Sequence, residues 1–243
     1  MPNIKHILTA VFGLFISIQT AEAIQIDSMF RVADANSEGV FTVTNTDDKK
    51  LFLNIGITEL TMVDGEIVKT PYTRDNIEQW ALTVRPARSM IKPGFEKDFT
   101  LSLNCLPDCA SDTDRVFQLA VVPTPYFDKG QRPDNAMQMA IGFAPIFVVP
   151  AKSDKLNYST RYVDNQLEVY NKGNTFLNVS VSACKDDFND TCNKDIKVLA
   201  GRRFIMELKP EMNNGSLELN VSTTDKKLKD TRVVIREANN EKG

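Results

Sequence analysis

Histidine is nearly missing from this chain. The one copy among 243 residues is His6, and it sits in a segment that reads as a cleaved leader. Met-Pro-Asn-Ile-Lys-His is mildly cationic, Ile7 to Ile18 is largely apolar, and Gln19-Thr20-Ala21-Glu22-Ala23 closes on Ala-x-Ala. That apolar run is too short to span a bilayer. Cleavage after Ala23 is therefore expected, with residues 1–23 as signal peptide and about 220 residues in the exported chain. No histidine would remain in it. This excludes Ser-His-Asp and Cys-His nucleophile pairs and His-ligated metals, and leaves an enzyme only carboxylate, Lys or Tyr chemistry. A second long apolar run is missing too, and the formal charge of -3 is spread over interspersed signs. Nothing there favours nucleic acid, an anionic membrane surface or membrane insertion. The expectation is a binding protein, not an enzyme, working without cofactor or metal.

Cysteine is scarce, and its placement is informative. The four copies are Cys105, Cys109, Cys184 and Cys192, in a chain expected where disulfides persist. Three pairings are open; the short spacing within each couple favours local bridges, which would pin a turn or hairpin rather than hold the fold together. Two zinc knuckles would have only two thiolates each and no histidine. Sustained helical periodicity is missing, as is any solenoid repeat.

What is present is a succession of short β patterns broken by Gly, Pro, Asn and Asp. Gly39 to Asn45 alternates. Leu51 to Leu60 sets Leu51, Leu53, Ile55, Ile57 and Glu59 on one parity, with Asp64-Gly65 as the following turn. Ile77 to Val84 reads as the next run, Arg85 to Gly94 as a turn, then Phe99 to Leu103, Val116 to Val122 and a Pro-rich loop from Pro123 to Pro133. Pro150-Ala-Lys-Ser-Asp-Lys155 has the composition of a linker. The pattern restarts beyond it over Tyr158–Val163, Gln166–Asn171, Phe176–Cys184, Asp195–Leu199, Arg202–Leu208, Ser216–Val221 and Arg232–Arg236. The reading is all-β, two sandwiches of roughly seven strands each, with domains over 24–150 and 151–243.

The stretch from Asn135 to Pro150 organises the first of these. Met137, Met139, Ile141 and Phe143 share one parity while Ala136, Gln138, Ala140 and Gly142 share the other, so an extended backbone has one greasy side. Ile146 to Val149 is apolar at every position, as in a strand buried on both faces, and Pro145 separates the halves. The second half is expected to close a sandwich and the first half to be an interaction edge.

The chain resembles the periplasmic chaperones of chaperone–usher pili. The resemblance is carried by the leader, the strand ending in Thr44-Asn45, Trp80-Ala-Leu-Thr-Val-x-Pro-Ala-Arg-x-x-Ile-x-Pro-Gly94, Phe117-x-Leu-x-x-Val-Pro123 and Asn135-Ala-Met-Gln-Met-Ala-Ile. Tyr170-Asn-x-Gly-Asn174 followed by Cys184 and Cys192 looks like the alternate class serving coli-surface-antigen-type fimbriae. It implies two immunoglobulin-like domains joined at an angle, and a last first-domain strand lent to a fimbrial subunit that lacks one of its own. Met137, Met139, Ile141 and Phe143 would fill the subunit's groove, and the adaptable thioethers suit several subunits. Release would occur at an outer-membrane usher. The loop Pro125 to Pro133, with Tyr126 and Phe127, would order on subunit binding.

The family anchors the subunit's C-terminal carboxylate with an Arg on the first strand and a Lys on the last. Here the last strand has no basic residue, so Arg31 is the candidate anchor and Arg88 the reserve. Val121 and Val149 stand where the family has interdomain ion pairs, so apolar contacts are expected to set the domains against each other. Self-association is a remedy for an exposed edge in the free protein. The competing reading is an exported immunoglobulin-like fimbrial subunit or adhesin, which should carry a long N-terminal arm and lack a closing strand. Asp186, Asp187 and Asp190 would be the carboxylates of an enzyme or calcium loop, but between Cys184 and Cys192 they read as solvated loop charge.

Overall fold

The computed structural model describes residues 24–104, 111–126, 141–184 and 191–237. Its regular elements are strands, apart from two short 3₁₀ helices at Arg74–Gln79 and Pro210–Met212. In chain order the first ten strands are β1 (Ile24–Ile26), β2 (Phe30–Val32), β3 (Glu38–Asn45), β4 (Leu51–Val63), β5 (Glu66–Pro71), β6 (Leu82–Arg85), β7 (Arg88–Ile91), β8 (Glu96–Leu103), β9 (Arg115–Pro125) and β10 (Ile146–Val149). They form two sheets, one ordered β1-β3-β8-β6 and one ordered β2-β10-β9-β4-β5 with β7 also on β4. Their inward residues, among them Phe41, Leu51, Leu53, Leu82, Phe99, Leu101, Phe117, Leu119 and Phe147, make one core.

Seven strands follow: β11 (Tyr158–Val163), β12 (Gln166–Asn171), β13 (Leu177–Ser182), β14 (Asn193–Val198), β15 (Arg203–Glu207), β16 (Ser216–Ser222) and β17 (Lys229–Ile235). They form sheets β11-β12-β15 and β14-β13-β16-β17 around a separate core that includes Tyr162, Leu167, Val179, Val181, Leu217 and Leu219. The fold is all-β, a pair of β-sandwiches. Cys184 and Cys192 form the expected local disulfide where β13 hands over to β14. Cys105 and Cys109 lie outside the described residues.

Each sandwich contains the same polar plug. Asn45, fully buried, donates from Nδ2 to the carbonyls of Lys49 and Ile91 and accepts the Asp47 N–H. Asn171, also fully buried, donates to the carbonyls of Thr175 and Val198 and accepts the Gly173 N–H. A side-chain amide inside apolar surroundings is tolerated because its donors and acceptor are matched.

Three local expectations change. The run read over Ile77 to Val84 is a strand only from Leu82, in β6: Arg74–Gln79 is a 3₁₀ helix, and Trp80 stacks on Tyr72 with ring centroids 5.5 Å apart while its indole N–H donates to Asn76 Oδ1. The turn expected over Arg85 to Gly94 contains β7, whose Ile91 inserts in the core opposite Leu51. The strand β5, unread in the sequence, returns from the Asp64-Gly65 turn to pair with the far half of β4. In each case about half of the residues are polar, no clear alternation shows, and the tertiary partner decides the conformation.

A third apolar cluster joins the sandwiches. Leu60, Val116 and Val148 from the outer side of the second sheet meet Phe176 and Leu199, and Phe30 meets Phe176 edge-on with centroids 4.9 Å apart. The turn after β4 adds a backbone bond, Arg203 N–H to the Gly65 carbonyl at 2.9 Å. The expected apolar contact is present, made by other residues than the two valines singled out: Val121 and Val149 belong to the first core.

Candidate functional site

Strands β1 and β2 are one segment that changes sheets. β1 pairs with β3 in the first sheet, whereas β2 lies parallel to β10 in the second, with Phe30, Arg31 and Val32 opposite Ile146, Phe147 and Val148. Asp27 makes the crossing: its N–H donates to the Thr42 carbonyl and its Oδ1 accepts the Thr42 N–H. The cover that β2 gives the last strand therefore begins only at Ile146, whose N–H donates to the Met29 carbonyl at 2.9 Å.

Upstream of Ile146 the chain is held on one side alone. Phe143 and Val121 exchange both backbone bonds, at 2.9 and 3.0 Å, and Leu119 N–H donates to the Pro145 carbonyl. With those groups turned toward β9, the N–H and C=O of Gly142 and Ala144 face away from it, and no described residue pairs with them. An unpaired edge in a soluble protein is normally guarded by charge or proline. The edge strands β5, β14 and β17 each carry several charged residues, and β6 ends in Arg85 before Pro86. Residues 141–144 carry none. Gly142 is required for the close seat on β9, because a Cβ there would stand 2.5 Å from the Val121 carbonyl oxygen.

Side chains follow the same division. Phe147 and Val149 point into the first core, and Ile146 and Val148 into the cluster between sandwiches, so Ile146 to Val149 is buried on both faces as its composition implies. Ile141 shares parity with Phe147 but lies beyond the core and is 70% exposed. Phe143, expected to point at a partner, is half-buried and packs on its own core; it stacks there because Val121 directly opposite is a core residue. Met137 and Met139, with the Asn135 to Ala140 half of the edge and most of the Pro125 to Pro133 loop, lie outside the described residues.

Arg31 and Arg88 are on opposite faces of the second sheet and do not converge. Arg31 is opposite Phe147, with its guanidinium 5.4 Å from the Phe41 ring centroid and its Nη2 donating to Asp27 Oδ2 at 2.5 Å. Its Nε is buried and makes no hydrogen bond, at the point where the cover of β2 begins. Arg88 lies on the outer face and donates from Nε to Asn54 Oδ1.

One contributor was not legible beforehand. Asp114, buried just before β9, accepts the Ala151 N–H from the linker at 2.8 Å, the Phe176 N–H at 2.8 Å and the Thr175 hydroxyl at 3.2 Å. One carboxylate thus ties first sandwich, linker and second sandwich. Burial pushes its pKa above the ordinary carboxylate value, against the pull of those donors. An Asp before a strand has no sequence signal that separates it from a turn residue.

Comparison with known proteins places this geometry. The family model for the CS5 fimbrial protein N-terminal domain matches residues 26–150, more than half of the chain and the span of its first two sheets. The chain belongs to this family. No curated protein matches it in sequence. Among solved structures, the class 5 fimbriae chaperone CfaA has 11% identity and a TM-score of 0.53 over 88% of this chain and 99% of that one. A chain of the CsuC–CsuE chaperone–tip adhesion subunit complex, from archaic Csu pili of Acinetobacter baumannii, has 12% identity and a TM-score of 0.55 over 89% and 100%. A chain of the Salmonella enterica SafA pilin–SafB chaperone complex has 13% identity and a TM-score of 0.55 over 87% and 95%. At these identities the likeness is one of fold, and this member of the CS5 fimbrial family shares the two-sandwich architecture nearly end to end.

Proposed function

We propose that this chain is a periplasmic chaperone of fimbrial subunits, acting by lending an edge strand and requiring no catalysis. The observation that carries the reading is the uncharged, one-sided edge at residues 141–144 with Ile141 exposed beside it. A subunit short of one strand has an apolar groove and two unpaired backbone edges, which is an aggregation hazard. A lent strand satisfies those edges while alternate side chains enter the groove. Met137, Met139 and Ile141 are the proposed fillers; Phe143 would have to leave its own core to join them. Arg31, with its unengaged Nε, is the proposed carboxylate anchor, and Arg88, on the other face, is not. The fold shared with fimbrial chaperones, some solved with pilin or adhesin subunits, supports this reading over that of a structural subunit.

The same reading assigns residues 1–23 to a cleaved export signal, 24–150 to the strand-lending domain and 151–243 to its companion, with release of the subunit at an outer-membrane usher. Among the described residues no helix is long and apolar enough to cross a membrane.

Co-expression with each fimbrial protein encoded nearby tests it. The chaperone yields a soluble one-to-one complex with a subunit that aggregates alone. Ile141→Asp keeps the fold, because Ile141 is 70% exposed, and Arg31→Lys keeps the aliphatic stem that packs over Phe41 while removing the guanidinium; both reduce subunit recovery at least tenfold. Full recovery with Ile141→Asp would sink the edge, and polymerisation of this chain by itself would make it the subunit.

A further inference from the structure

The last strand of the first sandwich stops being held by β9 at a single rung. Its register on β9 is unbroken from Val149 opposite Arg115 to Phe143 opposite Val121. The β9 N–H groups that reach it belong to alternate residues, Leu119 to the Pro145 carbonyl and Val121 to the Phe143 carbonyl, both at 2.9 Å. The next two residues of that series are Pro123 and Pro125, which have no N–H to give. Ile141 stands opposite Pro123 in the same register, and among the described residues it makes no backbone bond to it. The ladder ends at Phe143 because the sequence places proline where the next donor would be.

The rung itself is fastened from several sides. Phe143 N–H also donates to the Val121 carbonyl at 3.0 Å, and the ring is half-buried against the first core. Gly142 sits so near the same carbonyl that a Cβ would meet its oxygen at 2.5 Å, and Pro145 on the other side is buried. Two residues upstream, about 7 Å along an extended chain, Ile141 shares the parity of Phe143 and is 70% exposed. The change from a seated to an offered side chain therefore falls between these two residues. A strand that satisfies two edges of a partner needs both of its own sides free, and upstream of the rung β9 has no donor to claim one of them.

We propose that the Phe143–Val121 rung is a fixed stop for the lent strand. Phe143 is a positioning residue: it keeps its seat on the first core when a subunit is bound, and it sets the register so that Ile141 is the first side chain delivered to the groove. The inference rests on the strand-lending reading and specifies where lending begins. A slip of one residue would turn the apolar side of the strand away from the groove, and the seated ring prevents that slip. The subunit that fits has no pocket for residue 143 and meets the body of the chaperone there.

A disulfide in place of the ring tests the stop. Residues 121 and 143 form a hydrogen-bonded antiparallel pair, in which Cα atoms stand about 5.5 Å apart, within reach of a disulfide. The probe is subunit from the co-expression pair, denatured and diluted into the full-length chaperone. Phe143→Ala is expected to keep the circular dichroism spectrum and to lose capture about tenfold, with Phe143→Leu within about twofold of the parent. Val121→Cys with Phe143→Cys is expected to capture about fivefold more subunit oxidised than reduced, with the parent taken through the same redox steps as reference. A photocross-linker at position 141 is expected to label one subunit peptide in the parent complex and to spread to neighbouring peptides in Phe143→Ala, a change that lost stability alone does not produce. Greater capture by the reduced form would show that residue 143 must leave its seat, and equal capture by both forms would show that the seat is immaterial. Either result overturns the stop and leaves strand lending in place. Normal capture by Ile141→Asp in the same assay would instead remove strand lending itself, and the stop with it.

Discussion

Asp114 shows how one buried group can hold two sandwiches without an ion pair. Its two oxygens accept three donors, from Ala151, Thr175 and Phe176, so the chain crosses between sandwiches with its backbone N–H groups satisfied. Burial dominates its titration and raises its pKa above the unfolded value of 3.8. A carboxyl whose folded pKa is raised binds its proton more tightly folded than unfolded. Its contribution to stability therefore falls as pH rises from the unfolded value through the folded one, and is constant above. Asp114→Asn should flatten the decline of stability across that acidic window. At neutral pH the same variant should lose about 1–3 kcal/mol, because its amide N–H₂ meets a backbone N–H that then lacks an acceptor. Denaturant unfolding at several pH values from 4 to 7 measures both; an unchanged slope with pH would show that Asp114 does not titrate there.

At the scale of elements, strands buried on one face were legible in the sequence and strands defined by their partners were not. Leu51, Leu53 and Ile55 alternate into the core, and β4 follows from that alternation. Ile146 to Val149 reads as doubly buried and is, one parity in the first core and the other between sandwiches. Strands β5 and β7 are half polar, and their hydrogen bonds to β4 rather than their composition make them strands. The edge itself was half legible. The parity of Ile141 predicts a greasy side, but the switch of the first strand at Asp27 that uncovers it depends on a tertiary contact with Thr42. Gly142 tests the edge as an element. Since a Cβ there meets the Val121 carbonyl at 2.5 Å, Gly142→Ala should lift residues 141–144 off β9. Global stability should drop by only about 1 kcal/mol, as the rung is peripheral to the core. Faster amide exchange at Phe143, with Leu119 unchanged, would register the displacement; equal protection of Phe143 in both proteins would mean that the backbone absorbs the methyl elsewhere.

For the whole molecule, the cluster of Leu60, Val116, Val148, Phe176 and Leu199 decides whether the sandwiches act as one body. Each sandwich has its own core, so each has the means to fold alone, and coupling between them comes from this cluster, Asp114 and the Gly65–Arg203 backbone bond. Phe176 is the centre of that coupling: it is 2% exposed, meets Phe30 edge-on, and shares with it the Lys197 ammonium at 5.8 and 5.0 Å from the two centroids. Truncating a buried Phe to Ala costs about 3–5 kcal/mol. Here that loss falls on the joint, since the residues around Phe176 belong to both sandwiches. The parent should therefore unfold in one transition and Phe176→Ala in two, the second near the parent midpoint, when followed separately by Trp80 fluorescence in the first sandwich and by far-ultraviolet circular dichroism for both. If the edge at residues 141–144 is lent as proposed, the same variant should bind a subunit more weakly, because Val148 and Ile146, which continue that edge, lose the surface that holds them in register. A single transition merely shifted to lower denaturant would place the coupling in the backbone bonds and Asp114 instead of in the aromatic pair.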